Sequence, residues 1–140
     1  MSISEPFSKL LIKKRSALGG IGLYTSVPLK KGTYVIEYTG EKITEEEANR
    51  RGGKYLFTIN SRWTVDGKDR KNTARYINHS CKPNCEAQIK KGRVLIYAIK
   101  NISAGEELTF DYGEEYLNDK DTMPFGCRCA ECLKKKAVTV

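Results

Sequence analysis

Short apolar stretches alternate with polar turns along most of this chain. Stretches rich in β-branched and aromatic residues predict strands at 9–14, 33–39, 55–59, 63–65, 86–90 and 93–99. The last of these is continuously apolar from Val94 to Ile99, so we expect it to be buried on both faces. Thr44 and Glu47 have the spacing of a capping box, which predicts a short helix running to about Arg51. The pattern therefore predicts a mainly β domain with little helix.

A glycine cluster interrupts the pattern early in the chain. Gly19, Gly20 and Gly22 mark a backbone that bends sharply or lets another group approach closely. Two interpretations stay open, namely a loop whose backbone contacts a cofactor and a simple β-turn. The glycines do not complete a GxGxxG pattern and no clear βαβ unit surrounds them, so by themselves they slightly favour the turn.

Composition and charge set the broad class. The chain has 140 residues, 39% of them apolar and 30% charged, as expected for one globular domain with a hydrophobic core. No run approaches the roughly 18 apolar residues that span a membrane. Residues 1–6 do not resemble a secretory signal, which favours an intracellular, reducing setting. The net charge is +8, but the lysines are scattered, so a solvated basic surface is favoured over a dedicated nucleic-acid face.

The five cysteines suggest metal binding or thiol chemistry before disulfides in such a setting. Cys127, Cys129 and Cys132 lie within six residues and can supply three thiolates to a tetrahedral Zn²⁺. Cys81 or Cys85 could supply the fourth ligand. The alternative is a set of exposed thiols on the tail, which would be a liability inside a cell. The spacing therefore favours zinc.

The stretch 75–85 concentrates reactive residue types. It holds His79, the only histidine of the chain, together with Cys81 and Cys85, and Pro83 prevents a regular helix from continuing through it. It is either a tight structural turn or a site. A cysteine hydrolase is disfavoured, because Cys81 is only two residues from His79. The eight tyrosines are mostly expected in packing, although some could line an aromatic channel for an alkyl-ammonium group.

Several of these segments together resemble the SET-domain protein-lysine methyltransferases. Residues 78–84 (NHSCKPN) resemble the NHSCxPN signature of that family, and 107–113 (ELTFDYG) resemble its ELxFDYG signature. The matching segments also include a GxG at 20–22, an EYxGE at 37–41 and a cysteine-rich post-SET tail at 127–132. All five occur in the order of the family and cover about residues 10–132, which makes the set far more specific than any one motif.

The resemblance implies a fold of small curved β-sheets with a pseudoknot and little helix. In such a fold the segment near Tyr112 threads beneath a loop next to Asn78 and His79. The implied division is an N-terminal extension at 1–8, a SET domain at 9–116 and a post-SET zinc-binding tail at 117–140. The chain resembles a minimal SET domain, as in bacterial or viral members.

The resemblance also implies the site residues. Tyr112 matches the catalytic tyrosine, and the lysine would enter a narrow aromatic channel to which Tyr55 and Phe110 contribute. Phe110 would leave room for two or three methyl groups. S-adenosylmethionine is expected to contact Gly20, Ile21, Gly22, Tyr55, Asn78 and His79. Zn²⁺ is expected on Cys81, Cys127, Cys129 and Cys132, although the final spacing is shorter than the usual CxCxxxxC of the family.

The expected partner is a protein lysine, in a histone or another protein, with possible nucleosome or nucleic-acid contact through the basic surface. A monomer is expected, with no membrane association. Its location would be cytoplasmic in a bacterium and nuclear if it acts on eukaryotic histones. The alternative is a basic, zinc-stabilised nucleic-acid or chromatin-binding module without catalysis. Such a module is expected to lack the catalytic tyrosine or the asparagine, whereas Tyr112 and Asn78 are both present.

Overall fold

The computed structural model describes residues 10–17, 20–53 and 55–111 of the chain. Short strands dominate these ranges, so the prediction of a mainly β fold is confirmed. The strands are β1 (Leu11–Arg15), β2 (Ile21–Thr25), β3 (Tyr34–Tyr38), β4 (Glu41–Thr44), β5 (Leu56–Thr58), β6 (Trp63–Asp66), β7 (Asn78–His79), β8 (Cys85–Lys90), β9 (Arg93–Ala98) and β10 (Thr109–Phe110). Helix α1 (Glu45–Arg51) and a 3₁₀ turn (Thr73–Tyr76) complete them. The predicted boundaries at residues 8 and 116 fall outside the described ranges.

The central sheet has the order β3-β9-β8 and is antiparallel throughout. Val94 and Ile96 of β9 are fully buried in the core, whereas Leu95 and Tyr97 are half-buried. The expectation that β9 is buried on both faces is therefore wrong. Alternate residues of a strand point to opposite faces, and only one face of this small sheet lies against the core.

A second antiparallel sheet, of order β4-β6-β5, carries the helix. Thr44 is the N-cap of α1 and accepts a hydrogen bond from Glu47 N at 3.2 Å, which is one of the two bonds of a capping box. The Glu47 carboxylate bonds to Arg50 and Arg51 instead of reaching back to Thr44. The helix ends at Gly52, whose φ of +62° suits glycine. In the described part of the chain, no helix is long and apolar enough to cross a membrane.

Arg51 connects this helix to the second sheet. Its guanidinium lies 2.9 Å from the nearly buried carboxylate of Asp66, 3.0 Å from Glu41 and 2.7 Å from Glu47. Hydrogen bonds from Arg50 and Arg51 lower the pKa of Glu47 to about 2. This arrangement fixes the angle between the helix and β6, because one planar guanidinium serves three acceptors.

Strand β2 was not predicted, because the glycine cluster interrupts the apolar pattern at its start. Gly20 has a φ of +61°, and its carbonyl accepts a hydrogen bond from Ser16 N at 2.9 Å. From Ile21 the chain is extended and pairs antiparallel with β1, placing Lys13 opposite Leu23. Leu23 is fully buried. The cluster is thus a turn followed directly by a strand that contains Gly22.

The segment 107–110 joins the parts of the fold. Leu108 N donates to Leu23 O of β2 at 2.8 Å, and β10 then pairs parallel to β7, with Thr109 opposite Asn78. Parallel strands need a crossover connection, and here the β8-β9 hairpin lies between them in sequence. The predicted knot involves the segment near Tyr112, which lies outside the described residues.

Asn84 holds this crossing with its side chain. Its Oδ1 accepts a hydrogen bond from Thr109 N at 2.9 Å, and its Nδ2 donates to Glu107 O at 2.8 Å. The residue is buried, so these bonds are shielded from water. The Asn84 side chain therefore bonds the backbone groups of Glu107 and Thr109 that a neighbouring strand would otherwise bond.

Replacing Asn84 by Ala should lower the free energy of unfolding by about 2–4 kcal/mol, because it leaves the Thr109 N–H and the Glu107 carbonyl without partners. Urea denaturation followed by circular dichroism measures this loss. The control is Asn101→Ala, which removes one exposed hydrogen bond from Lys31 N and should cost less than about 1 kcal/mol. Equal losses in the two variants would contradict the role given to Asn84.

Candidate active site

The glycine segment (residues 20–22) and the histidine segment (residues 78–79) meet at one place in the fold. Asn78 lies in β7, and its Nδ2 is 3.4 Å from Ile21 O at the start of β2. Gly22 follows in the same strand, and His79 is the next residue of β7. The structure thus brings together the predicted cofactor segments 20–22 and 78–79, although their role in binding stays a prediction.

Glu107 lies at the centre of this meeting point, and the sequence did not single it out. Its half-buried carboxylate accepts a hydrogen bond from Ser16, whose Oγ is 2.8 and 2.9 Å from the two oxygens. It also accepts one from Asn78 Nδ2 at 2.8 Å. The one available signal was its position inside the ELTFDYG motif. Nothing in the local pattern tells which residues its carboxylate contacts.

Gly22 provides the space that this carboxylate fills. A Cβ at residue 22 would lie 2.3 Å from Glu107 Oε2 and 3.0 Å from Ser16 Cβ. Both separations are far below van der Waals contact. A side chain at residue 22 would therefore displace Glu107, which explains why a glycine stands here within a strand.

The orientation of the Asn78 amide follows from the same contact. A carboxylate only accepts hydrogen bonds, so the NH₂ group of the amide must face Glu107. The carbonyl Oδ1 is then directed elsewhere, and within the described residues no hydrogen bond to Oδ1 is present. Asn78 thus presents an acceptor beside the glycine segment.

His79, the residue that follows Asn78, is buried. Its Nδ1 is 3.7 Å from Asp111 Oδ1, and its Nε2 is 3.4 Å from Cys81 Sγ. Burial lowers the pKa of His79, and the carboxylate of Asp111 opposes that shift. The imidazole is therefore neutral near pH 7 and acts as a hydrogen-bonding group rather than a charged one.

An aromatic cluster lies around Phe110 of β10. Phe110 is buried, and its ring centroid is 6.3 Å from that of Phe57, which in turn is 5.6 Å from that of Tyr38. Phe57 was not among the predicted channel residues. No local signal in the sequence indicates its contact with Phe110.

Tyr55 has contacts at its backbone carbonyl and at its ring. Its carbonyl accepts a hydrogen bond from the Tyr38 hydroxyl at 2.7 Å, and the guanidinium of Arg75 lies 4.4 Å from its ring centroid. Arg75 also lies 5.0 Å from the ring of Tyr76, in a cation–π arrangement with each ring. The predicted catalytic residue, Tyr112, is outside the described residues.

The two cysteines of the stretch 75–85 differ sharply. Cys85 is fully buried, and burial raises the pKa of its thiol to about 12, so it is a neutral core residue unsuited to holding a metal. Cys81 is exposed. Cys127, Cys129 and Cys132 lie outside the described residues, within which no group of three His, Cys, Asp or Glu side chains could hold a metal ion. The zinc site stays a prediction.

Comparison with known proteins finds histone-lysine N-methyltransferases among the relatives of this chain. Histone-lysine N-methyltransferase 2D of Homo sapiens is 40% identical over 132 residues, which is 86% of this chain and 2% of the relative. An H3 lysine-4 specific histone-lysine N-methyltransferase of Emericella nidulans is 39% identical over 84% of this chain and 11% of its own length. Histone-lysine N-methyltransferase ash1 of Drosophila melanogaster is 34% identical over 81% of the chain and 6% of its own length. The chain thus spans a small part of these relatives.

The sequence profile of the SET domain matches residues 20–113. That range contains the segments 20–22, 37–41, 78–84 and 107–113, and it holds the meeting point around Glu107 described above. Motifs, geometry and relatives agree, and the chain belongs to the SET-domain family.

Proposed function

We propose that this SET domain is a protein-lysine N-methyltransferase that uses S-adenosylmethionine. The observation that carries the proposal is the contact of Asn78 with both Glu107 and the Ile21 carbonyl, beside an aromatic cluster at Phe110. A polar surface of this kind suits a charged cofactor, and the neighbouring apolar cluster suits an alkyl chain. The names of the relatives, all histone-lysine N-methyltransferases, support the same reaction.

The polar surface fits the cofactor by its chemistry. S-adenosylmethionine carries an ammonium group, a sulfonium and a purine, and when bound it supplies an electrophilic methyl group. Asn78 Oδ1 and the backbone carbonyls beside it are neutral acceptors for such donors. Gly20 has no side chain, and a Cβ there would meet nothing within 4 Å, so the backbone at this turn is open to a ligand. The residues proposed to hold the cofactor are Gly20, Ile21, Gly22, Tyr55, Asn78 and His79.

The aromatic cluster favours the neutral, nucleophilic form of the substrate lysine. A lysine amine attacks only after losing its proton, and a dry apolar environment lowers the amine pKa because it disfavours the ammonium form. Phe110 and Phe57 supply such an environment in the proposed channel. His79 is not required as a base, since a neutral amine needs none. We assign to Tyr112 the task of orienting the amine with its hydroxyl, and to Tyr55 a place in the channel wall.

The proposed substrate is a lysine of a histone or of another protein. The net charge of +8 suits contact with nucleosomal DNA or an acidic protein surface. With a histone substrate the protein would act at chromatin, and in a bacterial cell it would act in the cytoplasm. We further propose that it acts as a monomer. The rival function, a chromatin or nucleic-acid-binding module without catalysis, predicts salt-dependent DNA binding and no cofactor affinity.

Zinc binding by the tail is part of the proposal. Cys81 is the described member of the proposed set, and its exposure leaves the thiol within reach of a tail. Cys85 is excluded by its burial. A tetrahedral site on Cys81, Cys127, Cys129 and Cys132 would draw the tail toward the His79 segment.

Methyl transfer is tested by incubating the protein with labelled S-adenosylmethionine and, separately, with histones, nucleosomes and a cell lysate. The wild type should label lysine. Tyr112→Phe should lower the rate by about 100-fold, because it removes the group that aligns the amine. Tyr97→Phe makes the same change in β9 and should retain the wild-type rate. Absence of transfer to every substrate, together with salt-dependent DNA binding, would favour the rival function.

The product state depends on Phe110. With phenylalanine at this position, mass spectrometry of a methylated peptide should show di- and trimethyl-lysine. Phe110→Tyr should shift the product toward monomethyl-lysine, because its hydroxyl adds volume and can hold a water near the amine. The rate of the first transfer is measured in parallel, since a general loss of activity would lower all products alike. Wild-type product that stops at monomethyl-lysine would refute this assignment.

Elemental analysis of the purified protein should find about one Zn²⁺ per chain, the stoichiometry of a single tetrahedral four-cysteine site. Cys81→Ser should lower the zinc content strongly, because it removes one of four proposed ligands. Cys85→Ser is the matched control, since it changes a buried thiol that is not proposed to bind metal. Zinc-free folded wild type, or equal loss from both variants, would reject the site.

A further inference from the structure

We propose that Glu107 is a positioning residue that sets the orientation of the Asn78 amide and the path of the backbone at Gly22, and through them the cofactor site. The inference rests on the proposed function and deepens it. Its basis is that one carboxylate accepts hydrogen bonds from Ser16 and Asn78 and fills the space that a side chain at Gly22 would need.

The first step is the donor and acceptor pattern. Ser16 Oγ lies within 2.9 Å of both carboxylate oxygens, and Asn78 Nδ2 lies 2.8 Å from Oε2. Because the carboxylate cannot donate, it selects one of the two amide rotations of Asn78 and holds Oδ1 away from itself. A neutral amide at residue 107 keeps one acceptor oxygen and replaces the other by an NH₂ group, so the two donors lose one of their two acceptor atoms.

The second step is charge. In the described ranges, no lysine or arginine forms an ion pair with Glu107. A half-buried carboxylate that is satisfied only by neutral donors contributes less to stability than one paired with a cation. Its place beside the segments 20–22 and 78–79 therefore favours a function at the site.

The third step is shape. The space that a side chain at residue 22 would need is occupied by Oε2 and Cδ of Glu107, at 2.3 and 2.9 Å from an ideal Cβ. The second glycine of the GxG segment thus accommodates a protein carboxylate as well as leaving the backbone bare. A substitution at Gly22 should therefore displace the Glu107 carboxylate, and a substitution at Glu107 should alter the space beside Gly22.

The experiment measures the binding of S-adenosylmethionine by isothermal titration calorimetry, with the thermal unfolding midpoint recorded for each variant. Glu107→Gln should weaken binding by about tenfold or more, since hydrogen bonds to a charged group are among the stronger ones. Glu106→Gln is the matched control, because it makes the same change at the exposed neighbouring residue. It should leave the dissociation constant unchanged.

A swapped pair separates positioning from a merely structural role. Asn78→Asp places two carboxylates 2.8 Å apart and should weaken cofactor binding more than Glu107→Gln does. The double variant Glu107→Gln/Asn78→Asp restores a donor and an acceptor with reversed direction, and it still presents an acceptor oxygen at residue 78. It should bind at least about tenfold more tightly than Asn78→Asp alone.

The outcomes are distinct. Wild type that does not bind S-adenosylmethionine would overturn the proposed function and this inference together. Wild-type binding that is unchanged in Glu107→Gln, or a double variant no better than Asn78→Asp, would overturn the inference alone. If Glu107→Gln does not fold, the swapped pair decides, because it retains the hydrogen bond that the single variant loses.

Discussion

The backbone pairing of the segment 107–110 with two partners is the constraint on which the rest of this fold depends. Leu108 pairs with Leu23 of β2, and Thr109 and Phe110 pair with Asn78 and His79 of β7. Without it the glycine segment and the histidine segment would have no common neighbour. A parallel pair only two residues long is weak by itself. Its stability must come from the groups around it, and Asn84 is the clearest of these.

Apolar residues set the register of this pairing. Ile77 and Leu108 are almost fully buried, and each adjoins a polar residue of the site, Asn78 or Glu107. Because successive side chains point to opposite faces, burying Ile77 and Leu108 turns Asn78 and Glu107 toward the proposed cofactor site. A slip by one residue would exchange the buried and polar sets, which the core would not tolerate. Burial of Ile77 and Leu108 thus brings Asn78 and Glu107 together. The hydrogen bond between these two side chains then fixes their orientation.

The sequence predicts features that depend on residues close together in the chain. It does not predict contacts between residues far apart in the chain. The capping box located α1, and the motif segments identified the family, because these signals lie within a few residues of each other. Strand β2 was missed because its first residues include a glycine that Glu107 requires, 85 positions along the chain. Phe57 was missed because its significance comes from the ring of Phe110. No local pattern encodes either contact.

The charge of the whole chain and the charge of the site act over different ranges. The net charge of +8 comes from lysines and arginines scattered along the chain, and at physiological salt its field decays over about 8 Å. It can therefore influence which partner approaches but not the ionisation of groups inside the site. There the local terms decide, namely the carboxylate of Glu107, the buried neutral His79 and the apolar rings of Phe57 and Phe110. In the proposed reaction, substrate encounter and methyl transfer should accordingly respond differently to salt, because only the encounter depends on the charge of the whole chain.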